Sequence, residues 1–285
     1  MRRAALLLVV LLVAASCGSD EDPAVSDSAV TTTVAGGDPG ATAASGGETP
    51  AVTTPSGETV TTIATSTPAP PDTTGPPGSA ATYYLRPAPA TGLLLEVSVE
   101  AGAEPSGSTI DHVASVLGQV AGKPVERSGG NAVPGREAWT AADLRAAADA
   151  AAVVAQGDAG RGVVRLLYVR GRYADADGVL GVVVRGDVAV VFSDSVAASS
   201  TPLIGAGAIE TAVSMHEVGH LLGLVDLHLD TGREDPEHPG HSTNRGSVMY
   251  WAVESSLVSD LLTGGPPRNF DDADLADLAA IRDGG

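Results

Sequence analysis

The sequence predicts an α/β (α+β) domain whose sheet precedes a functional helix, carried behind an export leader and a long tether. The prediction rests on three observations. Apolar side chains recur at helical spacing in some stretches and as short β-prone runs in others, and the composition changes sharply near residue 82. Of 285 residues only 3% are aromatic, so the core must be built from small aliphatic side chains.

Residues 1–16 predict a signal peptide. Arg2 and Arg3 precede an apolar run from Ala4 to Val13 that is too short to span a bilayer as a permanent helix, and the small residues Ala14, Ala15 and Ser16 lead to Cys17. Ala-Ala-Ser-Cys resembles a bacterial lipobox. The resemblance implies cleavage before Cys17, a lipid on that cysteine and anchoring to the outer face of the cell membrane. Cys17 is also the only cysteine, so the mature chain has no disulfide and depends on packing and metal for stability. Residues 17–81 are Thr, Ser, Pro, Gly and Ala with scattered acids, a composition that buries too little apolar surface to offset its ordering entropy, and they are expected to form a disordered tether. The folded domain is placed at 82–285. With 16 Lys and Arg against 35 Asp and Glu, the formal charge of -19 repels nucleic acid, and no basic run offers it a binding stripe.

Within the domain, Leu94–Val99 is a β-prone run, and Ile110, Val113, Val116, Leu117 and Val120 mark a helix over Thr109–Val120. Thr140 and Asp143 form a capping-box pair that opens a helix over Ala141–Val154. Three strands follow, Val163–Val169, Val179–Val184 and Val188–Phe192, separated by Gly, Asp and Arg turns. The Ala-Asp-Ala-Asp-Gly stretch at 174–178 is too short for a calcium loop and is expected to be a turn.

The chemistry concentrates in Met215-His216-Glu217-Val218-Gly219-His220-Leu221-Leu222-Gly223, expected on an amphipathic helix. Residues four apart share one helix face, so His216 and His220 can hold one metal ion. Glu217 stands beside the first of them, where its carboxylate can deprotonate a water that the metal has made acidic. Farther on comes Ser247-Val248-Met249-Tyr250.

Together these residues resemble the metzincin zinc metallopeptidases, of matrixin or archaemetzincin type. The resemblance spans Leu94–Ile281, although its specific motifs occupy only 216–250. It implies a zincin domain with a twisted mixed sheet under two helices, zinc as cofactor, a protein or peptide substrate paired along an edge strand, a Met-turn at Met249 beneath the metal, and a C-terminal helix. Val179–Val184 is the candidate edge strand, and Asp274–Ile281 the candidate last helix, with Asp271 and Asp272 at its N-terminus.

For the third ligand, the family's usual interval after the glycine falls on Asp226. His241, however, precedes Met249 by the eight residues that matrixins keep between third histidine and Met-turn. Archaemetzincins carry cysteines one and six residues after that histidine, where this chain has Ser242 and Ser247. His241 is preferred, with 226–240 as an insertion, Asp226 next and His238 third. Glu254 is offered as an acceptor for a ligand imidazole, without a spacing rule behind it. The implied activity is a zinc-dependent endopeptidase with Glu217 as general base. Two alternatives stand beside it: a non-catalytic zinc-binding surface lipoprotein, and a zinc hydrolase of a non-peptide bond.

Overall fold

The computed structural model describes residues 70–261 and 264–284; the leader, Cys17 and most of the tether lie outside them. Chain order begins α1 (Ala81–Leu85), β1 (Gly92–Val99), α2 (Gly107–Ala121), β2 (Val125–Gly129), β3 (Ala138–Trp139) and α3 (Ala141–Ala151). It continues through β4 (Arg161–Val169), β5 (Arg172–Tyr173), β6 (Gly181–Arg185), β7 (Val188–Phe192), α4 (Ser193–Ala198) and α5 (Ala206–Leu221). The remainder is β8 (Glu234–Asp235), β9 (His238–Ser242), α6 (Val258–Leu261) and α7 (Asp272–Asp283).

The main sheet has the order β2-β1-β4-β7-β6, parallel except for β6, which runs antiparallel to β7 at the edge. Both faces are covered. Val164, Leu166 and Tyr168 of β4 pack with α2 and α5, while Leu167 and Val169 pack with Leu144, Ala147 and Ala148 of α3 on the opposite face. That is why β4 and β7 are almost unbroken apolar runs rather than alternating ones.

Helix ends follow local chemistry. Ser106 caps α2 by accepting from Thr109 N, and Gly122 in the left-handed conformation stops it. The Thr140–Asp143 capping box opens α3. This helix ends at Ala151, short of the expected Val154, because the N–H groups of Val153 and Val154 donate to the Glu96 carboxylate. Glu96 belongs to a buried ionic network: Arg165 reaches Glu96 at 3.1 Å and Asp187 at 2.6 Å, and Arg185 reaches Asp187 at 2.6 Å and Asp149 at 2.7 Å. The network ties β1 and β4 to the turn between β6 and β7.

Some expectations are corrected. Strand β2 has no signal in the sequence, because it is a largely exposed edge whose one large apolar residue is Val125. The end of the segment assigned to the tether joins the fold: Thr73, Gly78, Ala80 and Ala81 are buried, and Gly186 N donates to Gly75 O at 2.8 Å, while residues 70–72 are exposed. Two alanines and backbone groups anchor it, and these leave no pattern in composition. Helix α5 is not amphipathic, since every residue from Thr211 to Leu221 is buried.

At the sheet edge, the chain just before β6 meets the segment after Met249. Leu180 N donates to Glu254 O at 2.8 Å and Ser256 N to Gly178 O at 2.7 Å, with Val179 and Ser255 paired antiparallel.

Candidate metal centre

Helix α5 brings His216 and His220 to one face, with Nε2 of each 3.0 Å from the other. Two imidazole nitrogens at that distance either share a proton or face a common cation. The Nδ1 of His216 lies 2.7 Å from Val248 O. A carbonyl can only accept, so Nδ1 carries the proton and Nε2 keeps its lone pair. His220 is buried and its Nδ1 has no partner. Burial, together with the charges of His216 and His241, pushes its pKa well below the ordinary value. The His220 ring is therefore poised as a neutral donor.

The chain leaves α5 through Gly223, whose φ is +82°. A side chain at that position would collide with the Cβ of His228, so glycine is required twice over. Asp226 then closes the following loop rather than joining the histidines. Its Oδ1 accepts from Thr231 N at 2.7 Å and Thr231 Oγ1 at 2.6 Å, and its Oδ2 from Glu234 N at 3.2 Å. Burial alone would raise its pKa, but these hydrogen bonds hold it below the usual carboxylate range. The β8–β9 hairpin carries the chain back to the site. His238 stacks on Trp251 with ring centroids 4.2 Å apart and donates toward Asp235, away from the other histidines.

His241 on β9 reaches the cluster, with its ring centroid 5.1 Å from those of both His216 and His220. Its Nδ1 donates to Pro239 O at 3.1 Å, which leaves Nε2 as the lone-pair nitrogen. The strand is held against the turn that contains Met249: Ser242 N donates to Met249 O at 2.8 Å, and Ser247 Oγ accepts from Met249 N at 2.9 Å. Ser247 in turn donates to the buried carboxylate of Asp274 at 2.8 Å, in the first turn of α7. Met249 is fully buried directly under Gly219, where any Cβ would run into its sulfur. Another residue at 219 would require the Met249 side chain to move.

Glu217 is also fully buried, and among the described residues neither of its carboxylate oxygens has a hydrogen-bond partner. Burial, reinforced by the nearby charge of Glu254, pushes its pKa well above the usual range. Its carboxylate lies under β6: a Cβ on Gly181 would come within 2.5 Å of Glu217 Oε1. Glycine at the start of this strand makes room for that carboxylate.

Glu254, offered from the sequence only as an acceptor for a ligand imidazole, lies beside the imidazoles and belongs to the cluster itself. It ends the 3₁₀ turn Trp251–Glu254, with Oε1 3.0 Å from His241 Nε2 and Oε2 3.6 Å from His216 Nε2. Burial would raise its pKa, but the neighbouring charges of His241 and His216 draw it well below the carboxylate range. One ligand atom from each of His216, His220, His241 and Glu254 lies within 4.8 Å of the others. Among the described residues this is the group of His, Cys, Asp and Glu able to hold a metal ion.

The donor set fits a zinc ion. Tetrahedral ligands at zinc–nitrogen distances of about 2.0–2.1 Å stand about 3.3–3.4 Å apart. The separations of 3.0, 3.0 and 3.6 Å bracket that value. The partnerless Nε2 of His241 and Nδ1 of His220 mark the cluster as a site whose hydrogen bonding within the chain is incomplete.

Solved structures similar to this chain include the archaemetzincin of Methanopyrus kandleri, at 19% identity and a TM-score of 0.46, covering 68% of this chain and 98% of that one. The archaemetzincin of Archaeoglobus fulgidus complexed with malonate is 16% identical, with a TM-score of 0.37 over 65% of this chain and 99% of its own. A zinc-dependent peptidase from Methanocorpusculum labreanum is 16% identical, with a TM-score of 0.35 over the same shares. No protein-family model and no curated protein matches the chain.

Proposed function

We propose that this protein is a zinc-dependent endopeptidase of metzincin type, with His216, His220 and His241 as metal ligands and Glu217 as general base. The observation that carries the reading is the convergence of three imidazoles with Glu254. One of them, His216, is next in the chain to the buried Glu217, whose carboxylate has no hydrogen-bond partner among the described residues and feels the charge of Glu254. When bound there, zinc supplies Lewis acidity toward a carbonyl oxygen and lowers the pKa of water. Glu217 takes a proton from the attacking water and later returns it to the leaving amine. Val248 O and Pro239 O keep His216 and His241 in the donor tautomer, and Met249 supports the helix from below.

The substrate follows from the sheet: an extended peptide can add to the free side of β6, next to Glu217. Casein and quenched-fluorescent peptide libraries, assayed with chelator and after zinc is restored, test the reading. Cleavage that is lost on chelation and regained with zinc is expected, and metal-replete protein that cleaves no peptide would refute it.

A non-catalytic zinc-binding protein is the second reading, and Glu254 favours it, because four protein ligands are the mark of a structural site. Export and acylation at Cys17 complete the proposal. Detergent-phase partitioning that is lost in Cys17→Ser is the expected result, and an unmodified Cys17 in membrane-processed protein would exclude it.

A further inference from the structure

Granting the metal centre proposed above, we infer that Glu254 is a built-in fourth ligand that closes the site at rest and must swing out before a peptide can be cleaved. Its two carboxylate oxygens address two different imidazoles, 3.0 Å from His241 and 3.6 Å from His216. Despite the 3.0 Å approach, His241 Nε2 makes no hydrogen bond with acceptable angles, so its lone pair is aimed elsewhere. The histidine nitrogens and the carboxylate thus converge on a shared volume rather than forming an ordinary His–Glu pair. Three imidazoles and one carboxylate fill a tetrahedral sphere, whereas a catalytic zinc keeps one position for water or substrate.

The backbone around Glu254 supports the same conclusion. Its carbonyl accepts from Leu180 N, Ser256 N donates to Gly178 O, and Ser255 pairs antiparallel with Val179. These are the contacts an extended peptide makes when it adds to a sheet edge. They fall on the residues immediately before Gly181, the position that meets the Glu217 carboxylate. The chain's own segment therefore lies across one end of the path open to a peptide substrate and directs a carboxylate at the metal. Glu254 is also the member of the group most able to leave: its side chain is 27% exposed, against 0% for His216 and 13% for His241.

The test uses the full chain loaded with zinc or cobalt(II), with Glu254→Ala and Glu254→Gln as variants and circular dichroism to verify folding. In both variants zinc affinity, measured by competition with a chromophoric chelator, should fall at least tenfold. The visible spectrum of the cobalt protein should change, and acetohydroxamate should bind at least tenfold more tightly than to wild type, because a coordination position has opened. Turnover at saturating zinc should rise several-fold. Zinc affinity within twofold of wild type, together with an unchanged cobalt spectrum, would overturn the inference. If the spectra and affinities change as expected but neither wild type nor variants cleave any peptide, the closing ligand stands and the peptidase reading fails. Should Glu254→Ala not fold, Glu254→Gln keeps the side chain's size and decides by the same readouts.

Discussion

Arg165 and Glu217 are both buried charged side chains of this domain, yet their surroundings are opposites. Each guanidinium nitrogen of Arg165 has an acceptor, in Glu96, Asp187 and Val154 O, and the second oxygen of Glu96 is held by two backbone N–H groups. Neither oxygen of Glu217 has a donor. Burying a charge or a polar group without partners costs several kcal/mol, so a fold keeps such a group only where something outside the chain repays it. A satisfied cluster is architecture, and an unsatisfied one points to a ligand. The contrast separates the two more sharply than burial does, since Arg165 is 5% exposed and Glu217 is 0% exposed.

The comparison predicts opposite mutational outcomes, and the largest is at Glu217. Replacing it with Gln removes the base and no metal ligand, so turnover should fall about a thousandfold, roughly 4 kcal/mol in the barrier, with zinc content near wild type. Folding stability should hold or rise, because an unpartnered carboxyl is gone. Turnover within tenfold of wild type in metal-replete protein would remove Glu217 from the mechanism. Arg165→Met should do the reverse. It strands Glu96 and Asp187, so urea unfolding should register a loss of about 3–5 kcal/mol while turnover per folded molecule is retained. A loss under about 1 kcal/mol would mean that the network is dispensable and the contrast false.

Which parts are legible in the sequence follows from how each is held. His216 and His220 are legible because helix geometry alone sets their common face. The place of His241 is legible through its interval to Met249, and the physical basis of that interval is the hydrogen bond from Ser242 N to Met249 O, which ties the strand to the turn however long the preceding loop is. Loop closure costs little per added residue, so 226–240 could lengthen without moving His241. Glu254 is another matter. Its position depends on a 3₁₀ turn and on pairing between 178–180 and 254–256, distant segments with no shared periodicity. The sheet order β2-β1-β4-β7-β6 is equally silent in the sequence, since apolar runs mark strands but not neighbours, and β2 lacks even the run.

A smaller effect is expected at Gly181, where the two kinds of environment meet. The strand it opens belongs to the well-paired sheet, while the space above its Cα belongs to Glu217. Gly181→Ala would put a methyl 2.5 Å from Glu217 Oε1 and 2.6 Å from Val213 Cγ1, so the carboxylate must shift. Turnover should drop about ten- to a hundredfold with zinc affinity unchanged. Wild-type turnover in this variant would show that the base has room to spare.

The smallest effect concerns Lys123, which stands between the two extremes. Its ammonium is buried and donates to Tyr84 O at 2.7 Å and Tyr83 O at 3.3 Å, so it has partners but, among the described residues, no counter-ion. Burial pulls its pKa from 10.5 down to about 8. Between those values the unfolded chain holds the proton and the folded chain does not. Folding then releases a proton, and stability must rise with pH across the window. From about pH 8 to about pH 10 the gain should be on the order of 2 kcal/mol, read as an increase in the urea midpoint relative to Lys123→Met. Tyr84 and Tyr168 act in the other direction at higher pH, because burial raises their phenol pKa values and the unfolded chain loses those protons first. Subtracting the Lys123→Met curve cancels the tyrosine contribution, which both proteins share. If the difference is flat, the two carbonyls solvate the ammonium as well as water does, and dipoles alone can satisfy a buried charge in this fold. The unpaired oxygens of Glu217 would then stand out further, since the fold withholds even that much from them.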